Sequence, residues 1–461
     1  MTYDQSVRYL LTLGRELASP QQARAAKFDL ENIRAVCQRL GSPERAFRSV
    51  HIAGTNGKGS TAAMLASILR AAGLRAGLYT SPHLLRINER IRLDGADISD
   101  VDFAGTFERV HAVIEELLAA GVLAAHPTFF ECVTAMAFDF FAREKVDAAV
   151  IEVGMGGRLD STNVIVPEVA VITQIDFDHE NFLGHSIEQI AHEKAGIIKP
   201  GAWVVSATGH PAAQEVIRQR AAEQNARLVE VDTVCRASNL HAEDGCYGFT
   251  VTTELPGSAS TREVEIRLPL AGRFQVRNAL TAIAAARLLA ERGFPVDDAA
   301  IRGGLAEVRW AGRLERLQAR PAVYLDGTHN PAGARELVAF WNEQFTGRRI
   351  HLVFGALRDK AVDEVAGLLF PRAATVILTE LHQPRALSAD ALAAMTQHLA
   401  ECIEVIREPG AALERALESA APEDVIFVTG SLYLVGDLRR YWDGRPLDET
   451  AGNTIRQTRR G

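Results

Sequence analysis

Gly54, Gly57, Lys58, Gly59 and Ser60 stand together in the run His51-Ile-Ala-Gly-Thr-Asn-Gly-Lys-Gly-Ser-Thr61. Glycines let a backbone curl until successive N–H groups point inward, a lysine adds a mobile positive charge, and a following helix adds the partial charge of its N-terminus. Together these suit the phosphates of a nucleotide. In the usual P-loop, four residues separate the first glycine from a Gly-Lys pair, and Ser or Thr comes next. Here two residues lie between Gly54 and Gly57, and Gly59 intervenes between Lys58 and Ser60. A tight turn without a ligand is the plain alternative. An apolar strand-like segment before the run and a helix-like one after it, Ala62 to Ala72, favour phosphate binding.

A nucleoside triphosphate brings Mg²⁺, which prefers hard oxygen ligands and keeps several waters. Glu152 interrupts the apolar run Val150-Ile-Glu-Val153 where a strand should end. A carboxylate there is costly unless it is ion-paired or metal-bound. Ser81, beside Pro82, offers a hydroxyl but is also an ordinary turn residue. His179 follows two acids in Asp176-Phe-Asp-His179; a lone histidine is more often a structural hydrogen-bonder than a ligand, and a metal ligand is the alternative. Lys194, in Glu193-Lys-Ala-Gly-Ile-Ile198, reads by its residue type as a solvated helix lysine. Further on, Arg313 enters a strand from a loop, and a surface ion pair is the plain reading. Asp326 and His329 end a strand and open a helix. Asp326 could bond ribose hydroxyls or could cap that helix, with Pro331 in its first turn.

The elements that must hold these residues alternate strand and helix. Strands are expected at Ser49–Ala53, Ala76–Thr80, Val146–Val153 and Val169–Ile175, a hairpin around Asp94-Gly95, and helices at 103–120 and 129–143. The alternation predicts a mostly parallel sheet covered by helices. Val231–Leu268, rich in Thr and Glu, reads as an antiparallel excursion, with runs at Tyr247–Thr253 and Arg262–Leu268. A second alternation starts near Ala322, with strands at Ala322–Leu325, Ile350–Phe354, Thr375–Leu378, Glu404–Ile406 and Val425–Val428 and helices at 331–345 and 411–419. The fold class is therefore α/β. A P-loop-type domain with a mostly parallel sheet is expected over residues 1–300, a smaller Rossmann-like domain over 308–442, and a polar tail, expected to be disordered, over 443–461. Ligands sit at the carboxyl ends of strands in such sheets. Strand-end clusters on both domains imply a site closed by the two.

The composition narrows the function classes. The chain has 461 residues, 47% hydrophobic and 23% charged, with a net charge of −8 and no long basic run. That balance argues against nucleic acid as a main partner. The five cysteines are scattered without a CxxC, as expected of reduced thiols. No apolar run reaches transmembrane length, and the first residues lack a signal-peptide pattern, so a cytoplasmic protein without a membrane partner is expected.

With these residues assembled, the chain resembles the folylpolyglutamate synthase/dihydrofolate synthase family of the Mur ligase superfamily, from about residue 25 to 440. In order along the chain, the motifs that carry the resemblance are Gly54-Thr-Asn-Gly-Lys-Gly-Ser60, Tyr79-Thr-Ser-Pro-His83, Asn88-Glu-Arg-Ile91, Glu152-Val-Gly-Met-Gly-Gly-Arg-Leu-Asp-Ser-Thr-Asn163, Asp178-His179 with Leu183-Gly184, Glu193-Lys-Ala-Gly-Ile-Ile-Lys199, Phe274-Gln-Val-Arg-Asn-Ala279, Trp310-Ala-Gly-Arg313 and Asp326-Gly-Thr-His-Asn-Pro331. The resemblance implies that Gly57, Lys58, Gly59 and Ser60 hold the phosphates of ATP. It implies that Ser81, Glu152 and His179 ligate two Mg²⁺ ions and that Lys194 carries a carbamate near the second. Asn278, Arg313 and Asp326 match nucleotide contacts, with His329 beside them. Leu159, Asp160, Ser161 and Thr128 match pterin-site positions, Phe130 could stack on the pterin, and Phe28, Asp29 and Leu30 align more loosely with that pocket. Ala311, Thr328 and Ser161 stand where Pro, Ala and Ala are common in the family. The implied reaction joins L-glutamate to dihydropteroate or a folate through an acyl phosphate, in a bifunctional enzyme expected to be a monomer. A Mur-type ligase for a UDP-linked peptide and a non-catalytic nucleotide-binding regulator are the alternatives.

Overall fold

The computed structural model describes residues 1–13, 29–243, 245–257 and 261–444. Two compact units share the chain: one takes Met1–Pro269 and Gln275–Arg309, the other Leu270–Phe274 and the chain from Trp310. Phe28 and residues 445–461 of the expected tail lie outside the described residues.

The first unit is built on an eight-stranded sheet. Its strands are β1 (Arg48–Ala53), β2 (Ala76–Tyr79), β3 (Ile91–Leu93), β4 (Ala96–Asp97), β5 (Ala148–Glu152), β6 (Val169–Ile172), β7 (Trp203–Ser206) and β8 (Arg227–Glu230). Their order is β4-β3-β2-β5-β1-β6-β7-β8. Strands β2, β5, β1, β6, β7 and β8 are parallel, while β3 and β4 form the antiparallel hairpin expected around Asp94-Gly95. The central strands are apolar almost throughout because both faces are covered. One face meets a core that includes Phe103, Phe138 and Phe141, the other a core that includes Ile190, Ile198 and Ile217.

Register decides which sequence-distant residues become neighbours. Ile52 on β1 pairs with Glu152 on β5 and with Val171 on β6. The three strands therefore end level, and the segments after them emerge side by side.

The excursion after β8 is antiparallel, but it has three strands where two runs were expected. They are β9 (Cys235–Glu243), β10 (Cys246–Thr253) and β11 (Arg262–Leu268), in the order β11-β10-β9. In β11 the inward residues Val264, Ile266 and Leu268 alternate with exposed charges, the pattern of a sheet covered on one face. β9 escaped the reading because Arg236, Asn239 and His241 interrupt its apolar pattern.

The second unit has a six-stranded sheet in the order β12-β13-β17-β14-β15-β16. Five parallel strands match the expected ones within a residue: β13 (Ala322–Leu325), β14 (Ile350–Phe354), β15 (Thr375–Leu378), β16 (Ile403–Val405) and β17 (Val425–Thr429). The sixth, β12 (Glu315–Ala319), pairs antiparallel with β13. Its Glu-Arg-Leu-Gln-Ala sequence is only half-buried, so it carries little apolar signal. At the centre Phe427 stacks on Tyr324 at 5.1 Å, beside Trp341 at 5.2 Å.

Among the described residues, no helix is long and apolar enough to cross a membrane.

Candidate active site

The segment after β1 turns on two glycines. Gly54 has φ +151°, and a Cβ there would sit 1.8 Å from Thr173 Oγ1. Gly57 has φ +86°, and a Cβ there would sit 2.3 Å from Asn278 Oδ1. Both positions thus need glycine for conformation and for space. The loop is tied to the chain leaving β6. Thr55 N–H donates to Gln174 O at 2.7 Å, Thr55 Oγ1 donates to Asp176 O at 2.9 Å, and Thr173 Oγ1 donates to Asn56 O at 2.8 Å.

The helix that follows, Lys58–Ala71, begins four residues before the expected Ala62. Gly57 is its N-cap, and no side chain caps its first turn. Uncapped N–H groups at a helix N-terminus suit an anion. Ser60 Oγ accepts from Gln275 Nε2 at 3.2 Å, and Gln275 Oε1 accepts from Asn278 Nδ2 at 2.9 Å. Gln275 thus positions two residues with expected nucleotide roles. It was not singled out from the sequence, although it lies in the Phe274–Ala279 motif.

Two lysines converge on one carbonyl. Lys58 Nζ donates to Gly54 O and Thr55 O, both at 3.1 Å, and Lys194 Nζ donates to Gly54 O at 2.8 Å. Lys194 is not the solvated helix lysine that its residue type suggested. It is 4% exposed, near the end of helix Ile187–Ala195. Burial, with the Lys58 charge adding to it, pulls its pKa down to about 7, against the opposing pull of Asp178 and Asp160. A large fraction of this amine is therefore neutral, and so nucleophilic, near neutral pH.

Glu152 ends β5, 4% exposed, and its Oε2 accepts from Ser81 N–H at 3.1 Å. The structure thus brings together two of the three expected metal ligands, at the ends of adjacent strands β2 and β5. Their carboxylate and hydroxyl oxygens are donors that suit a hard divalent cation. His179 lies beyond β6, on the other side of β1. It has φ +53°, its side chain is 37% exposed, and its Nε2 is 3.8 Å from Asp178 Oδ2.

The glycine-rich segment after β5 folds tightly onto helix Ile187–Ala195. A Cβ at Gly157 would meet Glu193 O at 2.9 Å, and a Cβ at Gly154 would meet the Phe130 ring at 2.5 Å. Asp160 is buried and accepts from Met155 N–H at 2.9 Å and Thr162 N–H at 3.0 Å. Burial raises its pKa even so. Asp160 therefore holds the shape of this loop, with Leu159 and Ser161 half-buried beside it. His51, fully buried on β1, joins the brace through Thr162 Oγ1 at 2.8 Å, and burial pulls its pKa down to about 3, so it stays neutral.

Phe130 lies against Gly154 and 6.1 Å from the Tyr79 ring. Thr128 caps helix Phe129–Arg143 in a reciprocal pair with Glu131: Thr128 N–H and Oγ1 each donate to Glu131 Oε2 at 2.8 Å. Leu30 is buried, and Asp29 Oδ1 accepts from Glu31 N–H at 2.9 Å. The Asp29 charge also helps to raise the pKa of Glu131, behind the larger effect of burial, which places residue 29 near the start of the Phe130 helix.

In the second unit, Asp326 does not cap the following helix. Asn330 does, with its Oδ1 accepting from Gly333 N–H at 2.8 Å. Asp326 is 3% exposed and accepts from Leu314 N–H at 2.9 Å and Thr328 N–H at 3.0 Å. It thereby fixes the Arg313 loop against the end of β13. The Arg313 guanidinium lies 3.0 Å from where a Gly327 Cβ would be, and it has no acidic partner among the described residues, contrary to the surface ion pair its sequence context suggested. His329 Nδ1 is 2.8 Å from Gly327 O.

Comparison with known proteins matches this architecture. Residues 52–286 match the Mur ligase middle domain, and residues 312–432 match the Mur ligase glutamate ligase domain. The chain is 37% identical over 418 residues to dihydrofolate synthase/folylpolyglutamate synthase of Bacillus subtilis (strain 168), covering 89% of this chain and 94% of that one. It is similar in structure to Mycobacterium tuberculosis folylpolyglutamate synthase complexed with ADP and AMPPCP, with TM-score 0.84 and 35% identity, covering 91% of this chain and 96% of that one. It is also similar to the bifunctional folylpolyglutamate synthase/dihydrofolate synthase of Yersinia pestis complexed with AMPPNP and Mn ion, with TM-score 0.79 and 31% identity, covering 95% and 97% of the two chains.

Proposed function

From the premise that this chain belongs to the Mur ligase family, in its folylpolyglutamate synthase/dihydrofolate synthase branch, we propose how its own residues carry the reaction. The protein is an ATP-dependent ligase that joins L-glutamate to dihydropteroate and folate acceptors. A carboxylate is a poor electrophile because its oxygen does not leave. Transfer of the γ-phosphoryl group of ATP makes an acyl phosphate, the glutamate amine attacks its carbonyl, and the tetrahedral adduct expels phosphate to leave an amide.

The observation that carries the residue assignment is the convergence of Lys58, Lys194, Ser81 and Glu152 on the level ends of β2, β5 and β1. The loop N–H groups of Gly57 to Ser60 cradle the phosphates, and Lys58 Nζ leaves the Gly54 and Thr55 carbonyls to neutralise charge on the transferred group. Ser81 and Glu152, with His179, hold two Mg²⁺ ions, which supply charge neutralisation at the phosphates. The donor set fits, because the buried Glu152 carboxylate accepts from the Ser81 backbone N–H, which brings the residue with the hydroxyl beside it. The neutral Lys194 amine would attack CO₂ and release one proton, leaving an anionic carbamate suited to a second cation. Asn278 is a nucleotide contact on the first unit, and Arg313, Asp326 and His329 are nucleotide contacts on the second. Phe130, on a helix fixed by the Thr128–Glu131 cap, stacks on the pterin beside Leu159, Asp160 and Ser161, with Asp29 and Leu30 contributing to the same pocket. The enzyme acts as a monomer.

Isotope transfer tests the course of the reaction. With an acceptor carrying ¹⁸O in its carboxyl groups, one labelled oxygen should appear in inorganic phosphate for each amide formed. Amide formation that releases only unlabelled phosphate would overturn the acyl-phosphate route.

A further inference from the structure

A cluster away from the strand ends has its own chemistry. His111, Glu115 and His126 each offer a ligand atom, and these atoms lie within 4.8 Å of one another. We propose that the three form a binding site for a divalent transition metal of the zinc class, distinct from the Mg²⁺ sites of the ligase reaction.

The three residues reach the cluster from two segments. His111 and Glu115 are four apart on helix Asp100–Ala119, so they share one face, with His111 Nδ1 3.8 Å from Glu115 Oε1. His126 lies in the segment that leads to the Thr128 cap. A third segment, helix Tyr3–Thr12, supplies the phenol of Tyr9, 3.2 Å from His126 Nε2.

The tautomer of His126 suits a ligand. Its Nδ1 is 2.7 Å from Pro127 O. A carbonyl only accepts, so Nδ1 carries the proton and Nε2 is the nitrogen with a lone pair to offer an ion. A backbone carbonyl that fixes the far nitrogen in this way is the usual outer partner of a metal-bound histidine. Without metal, the Tyr9 hydroxyl donates to that lone pair.

Packing fixes both rings beforehand. His111 stacks on Phe107 with centroids 5.4 Å apart and planes 11° apart, and Tyr9 lies 4.6 Å from His111 and 5.9 Å from His126. Zinc bonds of about 2.0–2.1 Å in a tetrahedron bring ligand atoms to roughly 3.3 Å from one another. The cluster must therefore contract. Glu115 can supply its own part of that movement, because its side chain is 53% exposed, and small rotations of the two imidazoles supply the rest. Two imidazoles and one carboxylate favour zinc-like ions and disfavour Mg²⁺ and Ca²⁺. Water would complete the tetrahedron. A bound ion would tie helix Asp100–Ala119 to the approach of helix Phe129–Arg143.

The test uses the full-length protein, freed of metal by chelation, with no nucleotide present. Zn²⁺ is titrated by calorimetry, and Co²⁺ is followed by visible absorption. Wild type should bind one Zn²⁺ that His111→Ala and His126→Ala each weaken by about 100-fold or more, as expected when a ligand itself is lost. Glu115→Gln, which leaves the side-chain volume intact, should weaken binding and alter the Co²⁺ spectrum. All three variants should keep Mg·ATP-dependent ligase activity and far-UV circular dichroism, which separates loss of this site from loss of the fold or of the ligase reaction. Zn²⁺ binding of equal stoichiometry and affinity in wild type and His126→Ala would overturn the proposal, as would the absence of any Zn²⁺ binding by wild type.

Discussion

Lys194 gives the sharpest test of the proposed site. Its pKa of about 7 compares with an ordinary value of 10.5, burial being the main cause. At pH 7.5 a lysine titrating near 7 is about three-quarters neutral, whereas one titrating at 10.5 is neutral about one time in a thousand. Burial thus enriches the form that adds CO₂ by several hundred-fold. The sign of the stability effect follows. Above pH 7 the folded amine has lost a proton that the unfolded chain keeps up to about 10.5. Stability of the unmodified amine form therefore rises with pH across that interval and is lowest below pH 7, where the buried cation is fully present. Enzyme stripped of CO₂ and supplied with ¹³C-bicarbonate should show one carbamate resonance by NMR, and Lys194→Met should lack it. Activity of stripped enzyme should recover with bicarbonate, and the recovery should fade as pH drops below about 7. A resonance of equal intensity in Lys194→Met, or full activity in stripped enzyme, would refute the reasoning.

Other substitutions probe separate parts of the structure. Lys58→Ala and Glu152→Gln should each lower kcat by at least about 100-fold with circular dichroism unchanged, as measured by glutamate incorporation. Gly57→Ala places a methyl group 2.3 Å from Asn278 Oδ1 at a φ of +86°, so nucleotide affinity should fall; calorimetric titration with ADP checks this. Gly154→Ala pushes on the Phe130 ring, which lies 2.5 Å from the added carbon, and should raise the acceptor KM more than the ATP KM in steady-state assays. Phe427→Ala removes a fully buried ring from the centre of the second unit and should cost about 3–5 kcal/mol of that unit's stability, seen as an earlier unfolding transition in urea.

The elements that sequence reading missed share a physical cause. β12 and β9 carry polar or half-buried residues, so hydrophobic periodicity passes over them. Their pairing partners, β13 and β10, supply the hydrogen bonds that keep them extended. The early start of helix Lys58–Ala71 has a similar origin. Gly59 and Ser60 are poor helix formers, but Gly57 caps the helix in a left-handed conformation and Gln275 holds Ser60 in place.

By itself the sequence determined the parallel architecture, the second α/β unit and the residues whose types suit phosphate and a hard cation. These are local properties of apolar runs, glycines and interrupting charges. Tertiary structure alone decided that Lys194 is buried on the Gly54 carbonyl, that Ser81 meets Glu152, and that Asn330 caps the helix while Asp326 braces the Arg313 loop. Each of these depends on strand order and register, which join residues some 70 to 140 positions apart, or on a competition between neighbouring side chains for the same backbone groups. Residue type states what a group can do; its desolvation and its partners, set by the fold, decide what it does.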